Sequence, residues 1–242
     1  VLKGKKMTLL IVLLVFLVVW AGAFYYLRQV WFYRDPERIP PARKNIVVSP
    51  ADGQIVYIRK FKNDKIISEK NEQPISISEI TKDKLAYDCG TILGIYMSPL
   101  DVHFNYAPIS GQVKEITHSQ AKVNLPMVDL WEYVRLVYFR RFVNLFSKKF
   151  HFENERNTLV LQGDYRIGVV EIADKFVNKI KCFVTIGDNL QIGQKIGFIE
   201  RGSQVDLILP DSKIELEVKE GQQVYGGVTV IASLLTDARA DA

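Results

Sequence analysis

Few side chains in this sequence can do acid–base or nucleophilic chemistry. Histidine occurs three times, at His103, His118 and His151, with no HExxH or comparable ligand spacing, so no metal is indicated. His103 lies in MSPLDVHFNYAPISG, residues 97–111, beside Asp101 and between turn prolines. Loops on rigid β scaffolds often carry functional groups, and an imidazole with an ordinary pKa of ~6.5 can serve as a base near neutral pH. Asp101 stands two residues before His103, a spacing that points both side chains the same way in an extended strand. His118 ends a β-type run and reads as structural, whereas His151 follows a basic segment and reads as solvated. Gly202-Ser203 is the only Gly-Ser pair in the chain. A turn is its ordinary meaning, and without GxSxG around it a serine hydrolase has no motif support. The pair still has chemical potential. Glycine leaves its carbonyl accessible and tolerates a strained turn, and a serine hydroxyl becomes nucleophilic when a base takes its proton.

Such residues need a frame, and the pattern around them is β. IVVSPADGQIVYIRKF (46–61) is two β-type runs broken by the turn at 50–53. Further runs are TILGIYMSP (91–99), GQVKEITH (111–118), NTLVLQ (157–162), RIGVVEIA (166–173) and KCFVTI (181–186), followed by KIGFIE, QVDLILP, KIELEVK and VTVIAS. Many short strands with turn residues between them predict a mostly β (α+β) domain, a multi-stranded sandwich or barrel. Residues 187–199 and 220–232 share a pattern of glycine, spacer, Val/Ile, glycine and β run, like biotinyl or lipoyl carrier hairpins. The turns lack the lysine that a carrier needs, so shared hairpin geometry is the better reading.

Two segments depart from the β pattern. Met7 to Leu27 holds no charge and no proline, and 21 residues at ~1.5 Å rise suffice to cross a ~30 Å hydrocarbon core. Its aromatics continue past the small residues at 21–23, which favours a retained single-pass anchor over a cleaved signal. Five basic residues flank its C-terminal side and three its N-terminal side, which puts the main domain in the cytoplasm. The second segment, 129–150, has apolar residues at helical spacing and many basic ones. It predicts an amphipathic helix of about six turns, lying either on a membrane or on the sheet. Cys89 and Cys182 are far apart and read as two buried thiols. A formal charge of +5 without a nucleic-acid-binding motif argues against DNA or RNA and suits an anionic membrane surface.

Four segments in order, FYRDPER (32–38), SPADG (49–53), MSPLDVHFNYAPISG (97–111) and RGS (201–203), resemble the signature segments of the phosphatidylserine decarboxylase family. The resemblance runs from about Phe32 to Ile231 and is closest to the short form found in archaea and many bacteria. It implies a proenzyme in which the Ser203 hydroxyl attacks the Gly202 carbonyl. The chain is thereby cut into residues 1–202 and 203–242, which stay associated, and Ser203 becomes a pyruvoyl cofactor. It implies His103 as the base and gives the orienting role to Asp52, for which Asp101 competes on spacing. Some relatives have a second histidine where Tyr106 stands, so His103 acts twice here, or Tyr106 or water shares the work. Gln204 stands where many relatives have threonine.

The implied reaction converts phosphatidylserine to phosphatidylethanolamine at a cell membrane, with Arg34 and Arg38 as candidate phosphate contacts. An archaeal source would make the substrate archaetidylserine. The implied organisation is an anchor at 1–31, an arm at 32–45 and a catalytic domain at 46–242, with oligomeric state open. The competing expectation is a non-catalytic, membrane-tethered β domain that binds a partner or lipid, in which Gly202-Ser203 is an ordinary turn.

Overall fold

The apolar N-terminal run forms helix α1, Leu2–Tyr25, continued by a π-helical stretch, Tyr26–Trp31. The helix is long and apolar enough to cross a membrane, and its large apolar side chains are exposed throughout. The computed structural model describes residues 2–66, 75–82, 88–139, 141–146, 148–175, 180–200, 203–210 and 214–234. The chain divides into two units, 1–36 and 37–242.

The second unit is built on strands. In chain order they are β1 (Ile46–Val48), β2 (Gly53–Lys62), β3 (Lys65–Ile66), β4 (Cys89–Met97), β5 (Phe104–Tyr106), β6 (Gly111–Ser119), β7 (Arg156–Gln162) and β8 (Arg166–Ala173). They continue as β9 (Ile180–Cys182), β10 (Asn189–Leu190), β11 (Lys195–Ile199), β12 (Ser203–Pro210), β13 (Ile214–Leu216), β14 (Gln223–Val224) and β15 (Val230–Leu234). Among the described residues one large antiparallel sheet runs β10-β6-β7-β8-β12-β4-β2-β14, with β3 beside β2. Two small sheets, β1-β15-β13 and β5-β11-β9, complete the unit.

Side-chain alternation splits the interior into two cores. Val205, Leu207 and Leu209 of β12 join Leu93, Ile95, Val169, Ile196, Ile199 and Ile231, between the large sheet and the small ones. Ile208 points the other way, into a second core with Tyr57, Tyr96 and Val170. Helices α2 (Ile77–Thr81), α3 (Leu130–Val137) and α4 (Phe150–Glu153) and the segment around Phe146 cover that face. The mostly β architecture expected from the sequence is therefore present.

The repeated glycine pattern marks equivalent turns. Gly187 and Gly193 flank β10, Gly221 and Gly227 flank β14, and all four have positive φ, between 72° and 99°. The Gly193 N–H donates to Ala107 O and the Gly227 N–H to Ser49 O, both at 2.8 Å.

Two expectations are corrected. The six-turn helix over 129–150 is instead α3 of eight residues, an irregular stretch and one turn of α4. The Asp129–Glu132 capping box starts α3. Beyond it Val143, Leu145 and Phe146 enter the second core, which a straight amphipathic helix lying on the surface would not allow. Cys89 and Cys182 are free and exposed, not buried. Cys89 is the exposed first residue of β4, just before its buried run, and Cys182 closes β9, an edge strand.

Candidate active site

Three neighbouring strands of the large sheet bring the sequence-predicted residues to one end. Ser203, the first residue of β12, pairs with Met97, the last residue of β4, and with Ala173, the last of β8. Gln54 of β2 pairs with Tyr96, which puts the Asp52 turn at the same end. The chain leaving β4 passes through Asp101 to His103, and Ile199 N–H, four residues before Ser203, donates to the His103 carbonyl at 3.2 Å. The loops that carry His103 and Ser203 are thus tied to each other by backbone. Gly202, the other half of the expected cleavage site, and Arg201 lie outside the described residues.

Ser203 is fully buried, and its hydroxyl faces the Met97 thioether, Oγ to Sδ 3.2 Å. The amide of Asn105 lies against the same sulfur, Nδ2 to Sδ 3.8 Å. Asn105 Oδ1 is buried and accepts no hydrogen bond from any described residue. A thioether is a weak acceptor, so the serine hydroxyl and the Asn105 amide are both held next to a poor partner.

His103 is fully buried, and its Nδ1 donates to the Asp101 carbonyl at 2.9 Å, a tautomer that makes Nε2 the basic nitrogen. The Asp101 carboxylate is engaged elsewhere, with Ser98 N–H (2.9 Å), Ser98 Oγ (2.7 Å) and Gln223 Nε2 (3.0 Å). Asp52 is buried and receives Arg38 Nη2 on both oxygens (2.7 and 2.9 Å) and the Gly226 N–H (2.7 Å). Burial pushes its carboxyl upward, against the pull of the Gly226 N–H and of Arg38. Arg38 also sits over the Tyr106 ring, 5.9 Å to the centroid. The ring packs so closely on Gly226 that a Cβ there would lie 2.6 Å from it. Gly53 is equally constrained: at φ +154° a Cβ would fall 2.2 Å from the Tyr96 carbonyl oxygen, which makes glycine obligatory after Asp52. Arg38, considered above as a phosphate contact, is committed to Asp52 and Tyr106. Arg34 belongs to the first unit and lies over Trp31.

One residue the sequence reading passed over joins this face. Glu171 of β8 pairs with Val205 and lies two residues from Ala173, the partner of Ser203, so it is a diagonal neighbour of Ser203 on the same face. It is fully buried, and burial pushes its carboxyl up to about 7, against one hydrogen bond from Asn157 Nδ2 (2.9 Å). A lone acid inside the otherwise apolar run IGVVEIA was the signal available.

His151, read as solvated, is buried and stacked on Phe150, 4.2 Å between centroids. It belongs to the second core, where burial and Arg156 hold its pKa down to about 3. His118 is half-exposed and pairs with Glu155 at 3.1 Å, in keeping with a structural role. Among the described residues no group of three or more His, Cys, Asp or Glu side chains could hold a metal.

Comparison with known proteins identifies the family. A family model described as phosphatidylserine decarboxylase matches residues 26–232. A protein of Methanocaldococcus jannaschii, provisionally named an archaetidylserine decarboxylase proenzyme, is 35% identical over 86% of this chain and 90% of its own length. A phosphatidylserine decarboxylase proenzyme of Wolbachia pipientis wMel is 32% identical over 84% of this chain and 74% of its own. The match spans both the Asp52 turn and the strand that begins at Ser203, and the chain belongs to the phosphatidylserine decarboxylase family of enzymes.

Proposed function

We propose that this chain is a self-cleaving proenzyme that cuts between Gly202 and Ser203 and then decarboxylates a serine phospholipid. The observation that carries the reading is the burial of Ser203 at the head of a central strand, with His103 tied by backbone to the segment just before it. The Ser203 hydroxyl attacks the Gly202 carbonyl while His103 Nε2 takes the proton, which moves the acyl bond from nitrogen to oxygen. Elimination across Cα–Cβ releases residues 1–202 as a carboxylate. Addition of water and loss of ammonia leave a pyruvoyl group at the head of residues 203–242. Asp52 is the candidate to steady the cation that forms on His103, with Asp101 fixing the ring through its backbone carbonyl.

When formed, the pyruvoyl group supplies the electron sink for loss of carbon dioxide from the serine headgroup. Asn105, whose amide shares the Met97 sulfur with Ser203, would be the residue to hold such a group's carbonyl oxygen, and His103 would supply the proton to the product carbon, with Tyr106 or water as the alternative donor. Membrane attachment through α1, with the second unit on the cytoplasmic side, suits a substrate that is itself a lipid. The headgroup chemistry is the same for diacyl and archaeal ether tails. The purified wild-type protein should run as two bands and Ser203→Ala as one uncut band. An uncut wild type that still binds lipid would instead support the non-catalytic reading.

A further inference from the structure

The exposed apolar surface of the second unit is concentrated in one place. Among the described residues it has eleven exposed large apolar side chains, and six of them lie between Val123 and Phe142. Trp131 (73% exposed), Tyr138 (70%) and Phe139 (63%) dominate, with Leu130 at the start of α3 and Phe142 after it. The helix is anchored from beneath by Leu136, which is buried. Residues 119–150 carry six basic side chains against two acidic ones. Both acids are committed, Asp129 to the helix cap and Glu132 to the cap and to Lys148 at 2.5 Å. Arg135, Arg141 and Lys149 are exposed around the aromatics.

A small pocket lies between this helix and the end of the sheet that carries the Asp52 turn. Leu136 and Val137 of α3 form one wall, and Gln54, Tyr96 and Asp101 form another. Asp101 is the residue whose carbonyl holds His103.

We infer that α3 and the turn after it dock on an anionic bilayer surface, with Trp131, Tyr138 and Phe139 in the interface, so that lipid headgroups reach the site past α3. The inference rests on the lipid-decarboxylase reading. Lipid tails are too apolar to be drawn into water, so they stay in the bilayer and the protein must meet it at its surface. Aromatic rings ringed by arginine and lysine are the side chains that suit an anionic interface. No other face of the second unit, among the described residues, gathers this many exposed rings.

The test uses the full chain carrying Trp20→Phe and Trp31→Phe, which leaves Trp131 as the sole tryptophan. The protein is reconstituted in phosphatidylcholine–phosphatidylglycerol vesicles with brominated acyl chains. Trp131 emission should be quenched several-fold by the bromolipid and protected from aqueous iodide, and Arg135→Glu with Arg141→Glu should reverse both. Emission that iodide quenches freely and bromolipid does not would overturn the inference. Emission shielded from both would also overturn it, because a protein contact would then cover α3. Cleavage at Ser203 is read on the same sample by gel. Cut protein with a wet Trp131 refutes the docking alone, and uncut protein with a quenched Trp131 refutes the enzymatic reading alone.

Discussion

The two faces of β12 have opposite chemistry although they alternate residue by residue. On one face Ser203 has a thioether for a partner, with the Asn105 amide and the Glu171 carboxyl nearby, each short of hydrogen bonds. On the other face Gln204 and Asp206 enter a crowded polar network. Gln204 Nε2 lies 2.6 Å from Asp206 Oδ1, 2.7 Å from His151 Nε2 and 2.9 Å from Tyr57 Oη. Arg156 closes it from below, donating to the carbonyls of Ile80 (2.6 Å), His151 (2.5 Å) and Asn154 (2.9 Å). Burial moves the charged members toward neutrality: Asp206 up to about 7, His151 down to about 3, Arg156 down to about 10. The contrast suggests a division of labour. The network face ties β12 to the second core, although Gln204 Oε1 and Asp206 Oδ2 within it accept no hydrogen bond from any described residue, whereas the Ser203 face has few polar contacts and leaves room for chemistry at Ser203.

The comparison can be broken from either side. His103→Ala should slow self-cleavage by about 10²–10⁴-fold, the usual contribution of a general base, and should cost less stability than Arg156→Ala; a cleavage time course beside a thermal melt checks both. Arg156→Ala should do the reverse in kind. It leaves the buried carbonyls of Ile80, His151 and Asn154 without their donor and should cost about 3–5 kcal/mol in a denaturant titration of the uncleavable Ser203→Ala background. Equal effects of the two variants on both readouts would erase the distinction between the faces.

A smaller effect concerns pH. Glu171 ionises near 4.5 when unfolded and near 7 when folded. Between those values the unfolded chain releases a proton that the folded chain keeps, so stability is fully present below about 4.5 and falls as pH rises toward about 7. The loss from this one carboxyl is at most roughly 3 kcal/mol. Glu171→Gln should flatten that part of the melting-temperature profile. Asp206, raised in the same way, keeps its own share of the slope.

The long strands were legible because their apolar runs are long. RIGVVEIA is β8 residue for residue, and QVDLILP missed only Ser203 at the start of β12. The two-residue strands β10 and β14 carry no periodicity, and only the glycine spacing disclosed their shared geometry. β5 was hidden because it exists only through pairing with β11, in a segment whose prolines read as loop. The helix over 129–150 was overextended because its aromatics fit a helical period while the tertiary structure sent Val143, Leu145 and Phe146 into a core. In the site, the motif segments were findable, but the part played by Asn105 within one of them and the presence of Glu171 were not. Their roles depend on β5 of a small sheet approaching Met97 and on β8 pairing with β12, which spacing along the chain does not encode.

The central claim is that Ser203 is consumed in making the cofactor, and the mass of the small chain tests it most directly. The account predicts a fragment of residues 203–242 that lacks a free amine and is lighter by one ammonia than the same peptide starting with serine. Reduction with borohydride should then add two hydrogens at its first residue. A fragment that begins with an intact serine, or an uncut chain with full decarboxylase activity, would contradict it.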